Sequence, residues 1–349
     1  NTIHQSSSQL IESQIQQFML PHVRLLPSRH DFISDKSETL LESALHAGLA
    51  VDYGCNNGKC GKCKMKLVSG KVEKSRHIDY ILTNQEKSQN YILSCCHRAM
   101  TDVVLETTEA VTVDDIPLQK IETKIKTLDL INNSIYILNL KTPRSQRLRF
   151  MAGQEVKLSI YSQGKPVSIN LSIASCPCDD MNIQFHIPDK SNNLFLKMLP
   201  DIKKNKKYII IEGPEGDFTL DEHSSRTLIF IAEESGFASI KSLIEHALAL
   251  DMAEHIHLYW IVKKEEDLYM KNICRSWNDA LDNFFFHPVI SDGTGEFICR
   301  DIIEQIQQQN LIDQLDFYLS GTKYITDILT AQLNNKGYSN NQIYSKEID

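Results

Sequence analysis

The stretch that most limits what this chain can fold into is Cys55-Asn-Asn-Gly-Lys-Cys60-Gly-Lys-Cys63. It places three thiols within nine residues, and a fourth follows far along at Cys95. C-x4-C-x2-C with a distant fourth cysteine is the spacing with which four thiolates hold a 2Fe-2S cluster. Three sulfurs must converge from one loop, so the backbone has to wrap tightly. Gly54, Gly58 and Gly61 stand where that wrap needs crowded or left-handed conformations. The competing reading is zinc, which prefers two separate short cysteine pairs. Here one C-x2-C and one C-x4-C share Cys60, and the late pair Cys95-Cys96 is adjacent and cannot chelate as C-x2-C does. The metal ligands expected are therefore Cys55, Cys60, Cys63 and Cys95, with Cys96 as the alternative fourth sulfur.

A chain of 349 residues is too long for one ordinary core and predicts two or three domains. It is 42% hydrophobic and 23% charged, a globular composition. The formal net charge of -8 argues against bulk nucleic-acid binding. No apolar run is long enough to span a membrane. Nine cysteines in so long a chain do not make a disulfide scaffold and point to a reducing, cytoplasmic compartment.

Residues 1–20 read as an N-terminal extension. Leu10, Ile11, Ile15, Phe18 and Met19 allow a short amphipathic helix, either an appended element or a docking helix. No basic end precedes an apolar core, so the stretch is not a secretory signal.

Residues 21–109 read as one small domain. His22 to Leu26 and Asp31 to Ser34 are predicted as a strand pair. A helix follows from an N-cap at Ser37 and stops at Gly48. After the cysteine loop come strands at 64–68 and 103–105. Lys59, Lys62, Lys64 and Lys66 are a solvated face or a surface for an acidic partner. Residues 110–222 are strand-rich, including 134–140 and 207–211, and predict a small antiparallel barrel. Residues 223–349 alternate strands with helices, from Thr227-Leu-Ile-Phe-Ile231 into 239–250, then 257–262 and 316–320. That is a doubly wound α/β pattern.

Several pieces now carry a family resemblance. They are Tyr91-Ile-Leu-Ser-Cys95, Phe150-Met-Ala-Gly153-Gln154, Leu171-Ser172-Ile173-Ala174-Ser175, Gly213-Pro214-Glu-Gly216-Asp-Phe218, Gly236-Phe-Ala-Ser-Ile-Lys241, and Leu258-Tyr-Trp260 with Glu266-Asp267-Leu268-Tyr269. Tyr91 to Cys95 is similar to the Leu-(Ala/Ser)-Cys ending of plant-type ferredoxins. Over roughly residues 21–349 the chain resembles ferredoxin–NADP reductase-type oxidoreductases with a fused 2Fe-2S domain. These include oxygenase reductase components and the CDP-6-deoxyglucoseen reductase type. The resemblance implies a multidomain chain: a β-grasp ferredoxin domain, an antiparallel β-barrel for FAD, and an α/β doubly wound domain for NAD(P)H. It implies electron flow from NAD(P)H through FAD and the cluster to a protein acceptor, an oxygenase or dehydrase component or a larger complex. The cofactors carry that chemistry while the protein positions and tunes them.

By the same resemblance Ser172 faces the flavin N5, and Ser320 stands where a cysteine usually lies near the nicotinamide. Gly213, Pro214, Gly216, Gly236 and Lys263 are the remaining cofactor-binding candidates, Lys263 for a 2′-phosphate. The residues also depart from the family pattern. Ile169 replaces an arginine and offers no charged fork to a phosphate. Leu171 replaces an aromatic ring. The stretch expected to be a glycine-rich phosphate loop reads Asp189-Lys-Ser-Asn-Asn-Leu194. A glycine-rich dinucleotide turn reads Ala232-Glu233-Glu234-Ser235-Gly236, setting two carboxylates where a pyrophosphate would approach. These departures leave open a non-catalytic descendant that keeps the cluster as relay or structural element and acts as a partner or scaffold subunit.

Overall fold

The computed structural model describes residues 20–76, 81–162, 165–189, 193–290, 295–308 and 314–348. The amphipathic helix expected in residues 1–20 lies, except for Leu20, outside them, as do residues 190–192 of the expected phosphate loop. The chain divides into two compact units. One runs to Thr112 and takes in Arg144–Arg147; the other holds Val113–Pro143 and Leu148 onward.

The first unit is built on a five-stranded mixed sheet ordered β2-β1-β7-β3-β5. Its strands are β1 (His22–Leu26), β2 (Asp31–Ile33), β3 (Lys64–Ser69), β5 (Tyr91–Leu93) and β7 (Val103–Glu106), while β4 (Val72–Lys74) and β6 (His97–Ala99) form a separate ribbon. β1 and β7 run parallel; β3 is antiparallel to both β7 and β5. The period-2 pattern of β1 buries Val23 and Leu25. Helix α1 (Leu40–His46) buries Leu40, Leu41, Ala44 and Leu45. Its N-cap is Thr39 rather than the expected Ser37. Thr39 and Glu42 close a reciprocal capping box, which Ser37 lacks because residue 40 is leucine. Gly48, with φ +78°, lies just past the helix end, as expected. A short α2 (Asn84–Ser88) carries a second capping box, Thr83 with Glu86.

The second unit contains two sheets. The first is six-stranded and antiparallel, ordered β11-β10-β13-β8-β9-β12. Its strands are β8 (Gln119–Ile131), β9 (Ile135–Lys141), β10 (Glu155–Ser162), β11 (Lys165–Ser172), β12 (Asn182–Pro188) and β13 (Ile209–Glu215). Its edges meet where Ala174 N, just past β11, donates to Gln184 O in β12 at 2.8 Å, so the sheet curls toward a barrel. Ile121, Leu138, Leu158, Ile160 and Phe185 fill the inside, and α3 (Leu194–Lys204) adds Phe195, Leu199 and Ile202.

The other sheet is parallel throughout, ordered β16-β15-β14-β17-β18: β14 (Thr227–Glu233), β15 (Ile256–Val262), β16 (Phe284–Ile290), β17 (Leu315–Gly321) and β18 (Ile343–Glu347). β14 shows why its apolar run is unbroken: both faces are buried. Leu228, Phe230 and Ala232 pack with α4 (Phe237–Leu250) and Cys274 of α5 (Lys271–Ala280). Ile229 and Ile231 pack with α6 (Gly295–Gln307) and α7 (Lys323–Asn335). The chain steps from β14 outward to β16, then returns to β17 on the other side. The C-terminal ends of β14 and β17 therefore flank a topological switch point, where open α/β sheets bind ligands.

Candidate functional site: paired cysteines and the switch-point crevice

The cysteine loop folds so that its sulfurs stand in two pairs. The Cys55 and Cys60 thiols interact side chain to side chain, with Cys60 N also donating to Cys55 Sγ at 3.4 Å, and Cys63 Sγ lies 3.3 Å from Cys95 Sγ. A single tetrahedral zinc would draw all four sulfurs around one point. Two irons that share four thiolates need two pairs, and two pairs are present. The residues present fit a 2Fe-2S cluster. Gly58 and Gly61, with φ +77° and +75°, make the wrap.

Cys95 sits in the buried turn Ser94–Cys96, held where Ser94 N and Oγ both donate to Cys63 O at 3.0 and 3.1 Å. Cys96 Sγ is 3.7 Å from Cys95 Sγ. The Cys63–Cys95 hydrogen bond lowers the Cys63 thiol to about 7, and the same bond pushes Cys95 up. The pair gives up its first proton readily and resists the second, because two thiolates would then face each other. A bound cation removes that resistance.

Four further contacts on this loop are not visible from spacing. Asn56 Nδ2 donates to Glu42 Oε1 at 3.3 Å, tying the loop to the α1 capping box. Arg76 donates to the Asn56 carbonyl. Arg147 N donates to Gly54 O at 2.8 Å, and Asn56 N donates to Arg144 O at 3.1 Å. Of the four lysines, Lys64 pairs with Glu86, and Lys66 with Glu106 at 3.6 Å. The Lys64 hydrogen bond lowers Glu86 to about 2.

In the second unit, Ser172 ends β11 and lies directly across from Glu155 in β10. Ser320 lies across from Lys346 in β18. Lys346 Nζ sits 2.9 Å from Glu155 Oε2 and donates to Gly153 O at 3.2 Å. The two serines thus each stand one strand from a member of a single ion pair. Burial lowers the Lys346 ammonium, against the pull of Glu155. Neither Lys346 nor Glu155 stood out in the sequence, because their proximity is purely tertiary.

Gly213 and Pro214 lie within β13, and Gly216 (φ +91°) follows it. Gln154 Nε2 donates to Gly216 O at 3.1 Å, so this turn and the 150–154 stretch come together. A Cβ on Gly153 would stand 1.9 Å from Phe218 O, so that approach needs glycine. Ile169 and Leu171 pack against the barrel core.

At the switch point, Gly236 and Ser320 come together: a Cβ on Gly236 would lie 2.2 Å from Ser320 O. Ser239 Oγ is 2.9 Å from Ser320 Oγ. Lys263 lies 3.3 Å from Glu234. Both are well exposed, so solvent screens that pair. The Glu233 carboxylate accepts from Thr322 N and Thr322 Oγ1, both at 2.7 Å. Glu233 thus occupies the Thr322 donors at the start of α7. A separate cavity of about 470 Å³, lined by Asn139, Cys176, Cys178, Gln184, Lys241 and Glu245, includes none of the predicted site residues.

Residues 23–100 match the 2Fe-2S iron-sulfur cluster binding domain, and residues 122–220 match the oxidoreductase FAD-binding domain. The chain is 28% identical over 330 residues to the CDP-6-deoxy-L-threo-D-glycero-4-hexulose-3-dehydrase reductase of Yersinia pestis, covering 93% of this chain and 97% of the relative. It is 25% identical over 262 residues to the reductase component of propane 2-monooxygenase from Gordonia, 74% and 75% of the two chains. In fold it matches a cytochrome P450 reductase from Amycolatopsis with TM-score 0.58 at 21% identity, across 94% of this chain and 98% of the other. The ferredoxin reductase of a carbazole 1,9a-dioxygenase matches with TM-score 0.55 at 19% identity, again over 94% and 98%. The chain therefore carries a 2Fe-2S iron-sulfur cluster binding domain and an oxidoreductase FAD-binding domain, and with its doubly wound α/β sheet it has the fold of the ferredoxin reductases.

Proposed function

We propose that this protein is the reductase component of a multicomponent system. It takes electrons from NAD(P)H and passes them, through FAD and the 2Fe-2S cluster, to a partner oxygenase or dehydrase. The observation that carries this reading is the pair of preorganised sulfur pairs at one end of a chain that continues as barrel and α/β sheet. The reductase names of relatives aligned over nearly the whole chain favour it over a non-catalytic descendant. The proposed domains are a 2Fe-2S domain at 21–109, a flavin barrel at 110–222 and a nucleotide domain at 223–349, after an extension at 1–20.

The cofactors supply hydride acceptance and one-electron release. The chain's own residues do the rest. Cys55, Cys60, Cys63 and Cys95 would hold the cluster. Ser172 offers a hydroxyl to the flavin ring. Lys346, pinned by Glu155, ties β18, the neighbour of the Ser320 strand, to β10. Ser320 and Gly236 would shape the nicotinamide end, Gly213, Pro214 and Gly216 the barrel turn of the flavin site, and Lys263 would be available to a 2′-phosphate. No helix among the described residues is long and apolar enough to cross a membrane. The nine cysteines, all free in the structure, suit a reducing cytoplasm.

The test is ferricyanide reduction by protein reconstituted with iron, sulfide and FAD. Oxidation of NADH or NADPH at several turnovers per second is the expected result. No turnover with a full cluster and flavin complement would end the reading.

A further inference from the structure

The Glu233 carboxylate stands at the switch point in a position that general physics assigns to a ligand's anion. Thr322 is the N-cap of α7, a 13-residue helix, and its own side chain caps nothing. Its N–H and hydroxyl instead both donate to Glu233 Oε2 at 2.7 Å. Free N–H groups and the positive end of the dipole make such a helix start an anion site. The chain fills it from its own β14.

The packing is tight. A Cβ on Gly321 would meet Glu233 Cβ at 2.7 Å and Oε2 at 2.9 Å. The next residue, Glu234, holds φ +46°, the left-handed region in which a non-glycine residue is strained. Its carbonyl accepts from the buried Trp260 indole Nε1 at 3.0 Å, which fixes the turn. The carboxylate is therefore held in place from the strand, the turn and the helix together.

We infer that Glu233 is a built-in competitor for the pyrophosphate of the nicotinamide dinucleotide, and so sets how weakly this domain takes its electron donor. The inference rests on the reductase reading and refines it. For a dinucleotide to seat, the Glu233 carboxylate must give up Thr322, or two anions must share one helix start at high cost. Glu233→Gln keeps an oxygen that accepts from Thr322 N but removes the charge. Glu233→Thr removes the competitor altogether.

The test is calorimetric binding of NADP+ and NAD+ to full-length protein carrying cluster and flavin. Oxidised nucleotide keeps electron transfer out of the measurement. The expected result is weak binding by the natural chain and a Kd lowered about tenfold or more in Glu233→Thr, with Glu233→Gln intermediate. With NADPH the gain falls on KM, and kcat stays within about twofold. A purely structural role predicts the opposite, a lower Tm with no gain in affinity, and that result overturns the inference. Equal affinity in all three proteins overturns it too, as does no binding by any of them at millimolar nucleotide. Flavin content and dithionite-reduced spectra of the same samples report separately on the reductase reading.

Discussion

The cysteine loop and the switch-point crevice are both built to receive a charged group, and they treat their own charge in opposite ways. The loop brings four sulfurs into two pairs that resist full ionisation until a cation arrives. The crevice answers its own positive end with Glu233. One site groups like donors that a cation would satisfy, and the other satisfies its donors internally. A preorganised site costs little to fill, whereas a self-satisfied one subtracts the internal bond from every binding event. The cluster should therefore be retained through purification, while the nucleotide binds loosely.

The sharpest way to break this comparison is at the fourth sulfur. Cys95→Ser is expected to abolish the visible cluster absorption of anaerobically reconstituted protein, whereas Cys96→Ser retains it. The reverse outcome would move the ligand to Cys96 and undo the paired geometry. Next in size is the support of the α/β sheet. Asp316 in β17 is fully buried, and Arg226 Nη1 reaches it at 2.9 Å. Arg226→Met leaves a buried carboxylate without its cation and should cost about 3 kcal/mol in urea unfolding. The cluster spectrum should not change. A loss below about 1 kcal/mol would show that Ser224, which also donates to Asp316, is sufficient by itself.

A smaller effect follows from pH. His257 in β15 is buried beside His287 and His255, and burial lowers it to about 4. The folded chain thus binds fewer protons than the unfolded chain between about pH 6.5 and pH 4. This contribution to stability is full above about 6.5 and is lost as pH falls toward 4. Thermal midpoints measured across that window should drop, and the drop should shrink in His257→Phe. The smallest effect is at the helix beside the cluster loop. Thr39→Ala opens the capping box and should cost about 1 kcal/mol. Because Glu42 also accepts from Asn56, cluster insertion should slow as well, in stopped-flow reconstitution.

What could be read from the chain follows the distance over which its signals act. Cys55, Cys60 and Cys63 sit within one loop, so spacing alone announces their chemistry. The β14 run is apolar at every residue from Leu228 to Ala232 because both sheet faces are covered, and that reads directly as a buried strand. The Thr39–Glu42 box is written in the sequence as Thr-x-x-Glu, with Ser37 as an earlier, competing hydroxyl. Lys346 with Glu155 could not be read at all. Each looks like an ordinary surface charge until two sheets fix their registers beside Ser320 and Ser172. Glu233 was visible as a misplaced carboxylate, but its bond to Thr322 spans β14 and the start of α7 and exists only in the fold.

The visible absorption spectrum of anaerobically purified protein, before and after NADPH, tests the central claim most directly. The account predicts cluster absorption overlaid by flavin bands, with the flavin bleaching only at high NADPH concentration. A cluster spectrum without flavin, unmoved by NADPH at any concentration yet bleached by dithionite, would contradict it.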